Sequence, residues 1–258
     1  MKNKIDIQSL EDTRNVTINK VGVKNVKYPI VVEDRKNGIQ NTIAVLDIFV
    51  ELPHNHRGTH MSRFIEVLNR FHQETFISKL PEFLKEIRIA LNADASYAMI
   101  KFPYFIRKTA PVSKIESLLS YDCFFKASLR EEFELVIGVQ VPVTTLCPCS
   151  KEISDYGAHS QRSIVTVEVS FKEFVWLEEL IEIVENSASS EIYSLLKRVD
   201  EKFVTEKAYD NPAFVEDVVR EVTLKLQNDN RIISFQVESE NFESIHNHNA
   251  YACVKREK

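Results

Sequence analysis

Apolar and polar residues follow a period of two in some segments of this chain and a helical period in others. The alternating segments are rich in β-branched and aromatic residues, and they predict strands over 27–32, 42–51, 97–106, 121–129, 134–143, 163–171, 232–238 and 250–254. Helical spacing predicts helices over 61–73, with Thr59 as a cap, and over 76–92, 173–186 and 212–228. In the last helix, one apolar stripe is formed by Phe214, Val215, Val218, Val219 and Val222.

The order of these elements repeats along the chain. Each half reads strand, strand, helix, helix, strand, strand, which indicates a duplicated α+β unit. We therefore predict two tandem units, 1–130 and 131–258, each with an antiparallel sheet and its helices on one face.

Composition and charge narrow the classes of function. Hydrophobic residues make up 44% and charged residues 28%, as in ordinary globular proteins, and no apolar run is long enough to suggest a membrane span. The net charge of −5 gives no basic field that would attract nucleic acid or an anionic membrane. The four cysteines are too few for a disulfide scaffold, so we expect a cytoplasmic protein. We interpret Cys123 and Cys253 as small core residues.

Candidate chemistry is concentrated in LCPCSKEISDYGAHSQRS, residues 146–163. Pro148 holds Cys147 in an extended conformation. In an extended chain Cys147 and Cys149 point to opposite sides, so only one is a good ligand candidate. A return of the chain could bring His159 beside Cys147, and a cysteine, a histidine and a carboxylate would leave a fourth position on a metal for water. Two idle thiols and a surface histidine are the alternative.

The string TTLCPCSKEISDYGAHSQRS resembles the signature of the type IB GTP cyclohydrolases, the prokaryotic, metal-dependent enzymes of folate synthesis. Four further segments resemble the same family in the same order: GTHMSRF at 58–64, KTAPVS at 108–113, DEKFVTEKAYDNPAFVED at 200–217 and VESENFESIHNHNAYA at 237–252. The similarity covers nearly the whole chain. It implies the tunnelling fold and a homotetramer with active sites at subunit interfaces.

The resemblance also implies a reaction. GTP is hydrolysed at C8 of its imidazole ring, formate is released, and the product recloses to 7,8-dihydroneopterin triphosphate, the first pterin of tetrahydrofolate synthesis. By resemblance a divalent metal, zinc, manganese or iron, is held by Cys147, His159 and Glu201, and it activates water. From the residues alone, Asp200, Glu201 and Glu206 are all candidates for the carboxylate, and a solvated charge at the start of a helix is the commoner role for each of them.

The resemblance implies further roles near the end of the chain. Glu243 and His246 are expected in acid–base roles, with Cys149 as an assisting thiol and His248 as a partner that positions them. A polar, asparagine-rich turn is the alternative for this segment. Glu216 is expected to accept the N1–H and 2-amino groups of guanine, although an exposed helix glutamate is the alternative.

An acidic protein must gather cations locally to bind a triphosphate. We expect this role near a helix N-terminus in HRGTHMSRF and at two later basic pairs, although solvated surface charges are the alternative. The candidates are Arg57, His60 and Arg63 near the helix, and the pairs Arg107 and Lys108, and Lys197 and Arg198.

Three other functions stay open. An archaeal-type relative opens the same ring with iron but yields a cyclic phosphate. A tunnelling-fold nitrile reductase uses its cysteine as a nucleophile and needs no metal. A purine- or metal-binding module would bind the nucleotide without releasing formate, so analysis of the products separates these alternatives.

Overall fold

The computed structural model describes residues 8, 10–71 and 76–258. These residues group into two units. The first contains the described residues up to Phe102 together with Phe124–Leu135, and the second contains Pro103–Cys123 together with Val136–Lys258. The division at residue 130, which concerns the order of tandem elements, stays a prediction.

The first unit combines long antiparallel strands with helices. Its elements are β1 (Ile18–Asp34), β2 (Gly38–Leu52), α1 (Met61–Leu68), a 3₁₀ turn (Asn69–Phe71), α2 (Phe76–Leu91), and parts of β3 (Ser96–Thr109) and β4 (Glu116–Leu129). Strand β2 pairs with β1 on one side and with β3 on the other. The last two residues of the helix predicted over 61–73 lie outside the described residues.

The turn between β1 and β2 follows from its sequence. The carboxylate of Asp34 accepts the backbone N–H groups of Lys36 and Asn37 at 2.9 and 2.7 Å. Gly38 then adopts a φ of +82°, which favours glycine. At the start of α1, the N-cap residue is His60 and no side chain caps the helix. The prediction of a Thr59 cap is therefore wrong.

The second unit carries the remaining elements. After the parts of β3 and β4 they are most of β5 (Phe133–Leu146), α3 (Pro148–Ile153), β6 (Ser160–Phe171), α4 (Leu177–Glu185), β7 (Ser190–Glu191), α5 (Arg198–Asp210), α6 (Val215–Gln227), β8 (Ile232–Asn241) and β9 (Ala250–Glu257). The strand order here is β5-β6-β8-β9, all antiparallel, with the short β7 also on β5.

The register of these strands determines where their connections meet. Leu146 at the end of β5 pairs with Ser160 at the start of β6. Asn241 at the end of β8 pairs with Ser163 on β6 and with Ala250 at the start of β9. Because antiparallel partners lie directly opposite one another, segments 147–159 and 242–249 leave the sheet at the same end.

Helix α6 covers part of this sheet. Its predicted apolar stripe is confirmed at Val215, Val218, Val219 and Val222, which are buried, and the helix packs on β8 and β9. Phe214, the residue that precedes the helix, is instead 40% exposed.

The predicted class, an α+β protein with antiparallel sheets, is confirmed, and the predicted order of elements is present in both halves. Three elements of the second half were not predicted: α3, β7 and α5. None of the helices in the described part of the chain combines the length and the apolar character that a bilayer crossing requires.

Candidate active site

Cys147 lies where β5 ends and α3 begins. Its backbone is extended, with φ of −69° and ψ of 117°, as expected for a residue before proline. Pro148 occupies the first helical position, where its missing N–H is not needed. Cys147 is the N-cap of this helix, and its Sγ accepts the backbone N–H of Ser150 at 3.5 Å. The thiol is therefore held at a fixed place at the end of the sheet.

The chain returns so that His159 lies beside Cys147. The backbone N–H of Cys147 donates to the carbonyl of His159 at 3.1 Å. The hydroxyl of Ser150 accepts the N–H of His159 at 3.2 Å and donates to the carbonyl of Cys147 at 3.1 Å. The proximity that the sequence suggested for these two residues is confirmed, and a single serine ties both backbones together.

A cavity of about 290 Å³ opens beside this pair. It is lined by Cys147, His159, Gln161, Ala213, Phe214, Val215, Glu216, Asn241, Glu243, His246, His248 and Ala250. Six of these residues are site residues predicted from the sequence, and they come from three separate segments of the chain. The fold of the second unit therefore brings together a thiol, three imidazoles and two carboxylates.

The segment between β8 and β9 supplies the two later histidines. The rings of His246 and His248 are stacked, with centroids 5.1 Å apart and 14° between their planes. The side chain of Asn249 donates to Glu240 at 2.7 Å, which fixes the end of the segment to β8. Glu243 is half-buried at the cavity, whereas both rings are exposed.

Glu216 reaches the cavity from the first turn of α6. The neighbouring Asp217 accepts the backbone N–H of Phe214 at 3.0 Å and so caps the helix. Asp217 thus stabilises the start of α6, while the exposed carboxylate of Glu216 lines the cavity.

Several predicted site residues do not line this cavity. Cys149 is exposed on α3. Lys197, Arg198 and Glu201 are exposed at the start of α5. Within the described residues, no group of three histidine, cysteine, aspartate or glutamate side chains is arranged to hold a metal ion.

The other predicted cations have protein partners or belong to the first unit. Lys108 forms an ion pair with Glu185 at 2.6 Å, and both side chains are largely buried. In the first unit, Arg63 donates to the carbonyl of Ala90 at 2.9 Å. Arg57 is exposed, and His60 is half-buried at the N-cap of α1.

Two of the three predicted metal ligands, Cys147 and His159, lie where they could hold a metal ion. Cys147 and His159 both line the cavity, and the Nδ1 of His159 is hydrogen-bonded to Gln161, so that Nε2 remains to coordinate. A thiolate and an imidazole suit zinc and related ions. Glu201 lies outside the cavity lining, so its place as the third ligand stays a prediction.

Asp200, next to Glu201, has a structural role that the sequence pattern did not predict. It is fully buried, and it accepts the backbone N–H groups of Val112 and Ser113 at 2.8 Å each and that of Lys197 at 2.9 Å. The hydroxyl of Ser113 donates to it at 2.6 Å. Burial alone would raise the pKa of Asp200, but these hydrogen bonds outweigh burial and lower the pKa below its ordinary value. Asp200 thus joins the turn after β3 to the start of α5.

Two residues of the cavity wall were also missed. Gln161 and Asn241 are 8% and 3% exposed, yet both are polar. Their signal in the sequence was a polar residue at a position where strand alternation demands an inward side chain. Cys253 is exposed on β9, so its interpretation as a core residue is wrong, whereas that of Cys123 is confirmed.

Comparison with solved structures supports the fold. Urate oxidases match at low sequence identity: that of Arthrobacter globiformis at 11% identity and a TM-score of 0.51, covering 92% of this chain and 93% of the other. A mutant from Bacillus sp. TB-90 matches at 9% identity and a TM-score of 0.54, covering 93% and 100%. At such identities the likeness shows the fold alone, which is the predicted tunnelling fold.

Comparison with known sequences identifies the family. Residues 5–252 match the family described as Type I GTP cyclohydrolase FolE2. The GTP cyclohydrolase FolE2 of Geobacter sp. strain M21 is 56% identical over 251 residues, 97% of this chain and 94% of that protein. The protein of the same name from Syntrophus aciditrophicus is 57% identical over 254 residues, 98% and 100% of the two chains. The sequence and the fold agree, and the chain belongs to the type I GTP cyclohydrolase FolE2 family.

Proposed function

We propose that the cavity of the second unit carries out the GTP cyclohydrolase reaction of tetrahydrofolate synthesis in its type IB, metal-dependent form. GTP is hydrolysed at C8, formate is released, and the product recloses to 7,8-dihydroneopterin triphosphate. The observation that carries the proposal is the assembly of Cys147, His159, Glu216, Glu243 and His246 around one cavity. The name of the curated relatives, GTP cyclohydrolase FolE2, supports the substrate.

The proposal includes a divalent metal, zinc, manganese or iron. Cys147 and His159 would hold it, with Glu201 as the proposed third ligand. When bound, such an ion lowers the pKa of water and provides a nucleophile near neutral pH. The cytoplasm, where thiols stay reduced, is the compartment that suits a cysteine ligand.

The chain's own residues supply recognition and proton transfer. The carboxylate of Glu216 can accept both the N1–H and the 2-amino group of guanine, because its two oxygens match two adjacent donors. Glu243 and His246 lie at the same cavity and can exchange protons with the opening ring. His248 stacks on His246 and so orients that ring. Cys149 remains the proposed assisting thiol.

Binding of the triphosphate is proposed for the basic residues at the start of α5, Lys197 and Arg198, and for Arg57, His60 and Arg63. Lys108 is part of the same proposal, although a phosphate would have to displace Glu185 from its side chain. These assignments rest on charge alone.

We also propose a homotetramer with active sites at subunit interfaces. Among the described residues, β9 pairs with β8 on one side only. An exposed strand edge of this kind is commonly covered by another chain. A subunit that covered this edge would lie close to the segment 242–249, which contributes Glu243 and His246 to the cavity.

The test is to load the purified protein with zinc, manganese or iron(II) and incubate it with GTP. Formate and, after oxidation, a fluorescent pterin triphosphate are expected. Cys147→Ala should abolish turnover without unfolding the chain, whereas Cys253→Ala, which changes an exposed thiol outside the cavity, should remain active. A cyclic phosphate product would favour the archaeal-type alternative. Nucleotide binding without formate, with every metal, would overturn the enzymatic proposal.

A further inference from the structure

Behind His159 lies a row of polar side chains that the proposed reaction does not use directly. Thr145 on β5, Gln161 and Ser163 on β6, and Asn241 on β8 are 0%, 8%, 0% and 3% exposed. Thr145 is the register partner of Gln161, and Ser163 is the partner of Asn241. Gln161 and Ser163 are two residues apart, so the row crosses three strands on one face of the sheet.

These side chains form one continuous line of hydrogen bonds. Nδ1 of His159 lies 3.0 Å from Oε1 of Gln161, and Nε2 of Gln161 donates to Oγ1 of Thr145 at 2.9 Å. Oγ1 of Thr145 lies 2.8 Å from Oγ of Ser163, which donates to Oδ1 of Asn241 at 2.7 Å. The first link joins His159, which precedes β6, to the start of that strand, and each later link joins neighbouring strands.

The direction of the line can be read from its far end. The assigned orientation of the Asn241 amide sets this direction: its Oδ1 faces Oγ of Ser163 at 2.7 Å, so the one hydroxyl proton of Ser163 is donated to Asn241. Ser163 must therefore accept from Thr145, and Thr145 in turn accepts from the amide nitrogen of Gln161. This leaves the amide oxygen of Gln161 facing Nδ1 of His159. Since that oxygen can only accept, Nδ1 must carry the proton.

We propose that Gln161, Thr145, Ser163 and Asn241 act as a positioning relay that holds the neutral His159 in its Nδ1–H form and leaves the lone pair of Nε2 free for a ligand in the cavity. The identity of that ligand as a divalent metal rests on the proposed function. Which nitrogen of the His159 ring carries the proton does not depend on the proposed function.

The burial of these groups supports a role beyond folding. Further along β6 the same inward face continues with Val165 and Val167, which are fully buried. Apolar residues therefore suit this face, and a buried polar group destabilises a protein unless it is hydrogen-bonded. Along β6 the inward positions are polar only at 161 and 163, next to His159, which is the place where the orientation of a ring nitrogen matters.

The first test uses the metal-free protein and needs no activity. Histidine side chains are labelled with ¹⁵N, and two-bond ¹H–¹⁵N spectra are recorded in the alkaline range where imidazoles are uncharged. The His159 signals are assigned by their absence in His159→Gln. A single Nδ1–H pattern is expected for His159. An Nε2–H pattern, or a mixture of the two forms, would overturn the proposal.

The second test changes the relay at a residue one step removed from the histidine. Thr145→Val keeps the shape of the side chain but removes the hydroxyl, and a mixture of the two forms of His159 is expected, because Gln161 can then turn its amide. The matched variant Thr145→Ser keeps the hydroxyl and should keep the single Nδ1–H pattern. An unchanged pattern in Thr145→Val would refute the relay.

The third test measures affinity for cobalt(II) by its absorption in the visible range. Gln161→Met should bind the ion 10–100-fold more weakly, as is usual when the partner of a ligating histidine is lost. Gln161→Glu keeps an acceptor opposite Nδ1 and should recover most of the affinity. Equal weakening in both variants would refute the relay. If GTP releases no formate while the spectra show the Nδ1–H form, the proposed function fails and the relay stands.

Discussion

Replacing Lys108 by methionine distinguishes a structural lysine from a ligand of the triphosphate. Nζ of Lys108 lies 2.6 Å from Oε1 of Glu185, and the two side chains are 11% and 14% exposed. The same carboxylate oxygen accepts the hydroxyl of Tyr121 at 2.6 Å. Burial and Glu185 raise the pKa of Tyr121 above its ordinary value, so this phenol stays protonated and continues to donate.

The magnitude follows from this geometry. At 2.6 Å and an effective dielectric constant of about 20, the attraction between the two charges is ~6 kcal/mol before desolvation is subtracted. Removing Lys108 leaves the buried carboxylate without its cation, which costs about 3–5 kcal/mol in such sites. The double variant Lys108→Met/Glu185→Leu removes both charges and should recover most of this loss, because apolar pairs often replace buried ion pairs well.

The assay is urea unfolding of the full chain at constant protein concentration, followed by circular dichroism. Arg107→Met on the same strand is the control. Arg107 pairs with Glu116 at 3.3 Å, and both side chains are more than half exposed. Since exposed ion pairs contribute little, this substitution should change the free energy of unfolding by less than ~1 kcal/mol. The ion pair with Glu185 leads us to expect that Lys108 stabilises the fold. If Lys108→Met were no less stable than this control but bound GTP poorly, this structural role would be refuted and Lys108 would be a ligand of the triphosphate.

Three further predictions concern the cavity and its supports. Glu216→Gln should weaken GTP binding by ~2–4 kcal/mol without changing metal content, because the carboxylate is expected to accept two donors of guanine. Inosine triphosphate lacks the 2-amino group, so its equal use by the wild type would contradict guanine recognition by Glu216. His246→Ala should lower the single-turnover rate constant 10²–10⁴-fold, with GTP affinity retained; a normal rate constant would exclude it as an acid or base. Asp200→Asn should lower Tm at neutral pH, because a carboxylate with a lowered pKa stabilises the fold above its unfolded-state pKa. Calorimetry should show this difference shrinking below about pH 4, and a difference independent of pH would contradict the assignment.

Much of the fold could be predicted because its strands and most of its helices have a one-sided apolar pattern. Helix α5 could not, because only Asp200 and Ala208 are buried along its length and no apolar stripe marks it. Helix α3 has six residues, which is too short for periodicity to be visible. Cys253 was misjudged because a single thiol does not indicate which face of an edge strand it occupies.

The candidate site could also be predicted from the sequence only in part. The proximity of Cys147 and His159 could be expected from Pro148 and the length of the intervening segment. For Gln161, strand alternation indicates an inward polar side chain but not its partner, because that partner lies on the neighbouring strand and strand pairing is a long-range property. Spacing along the chain also does not show that Lys108 already has an anion, Glu185, within reach.

The hydrogen bonds by which Asp200 joins the turn after β3 to the start of α5 also have a consequence for synthesis at the ribosome. The donors at 112 and 113 emerge well before the carboxylate that they bind, and β9, which borders the candidate site, emerges after both. The turn between β3 and β4 is therefore synthesised before its acceptor, and nascent chains halted before residue 200 lack these hydrogen bonds altogether. A fragment that starts at residue 131 would contain every residue that lines the cavity, but it would carry the acceptor Asp200 without its donors at 112 and 113, so the start of α5 would lose these hydrogen bonds.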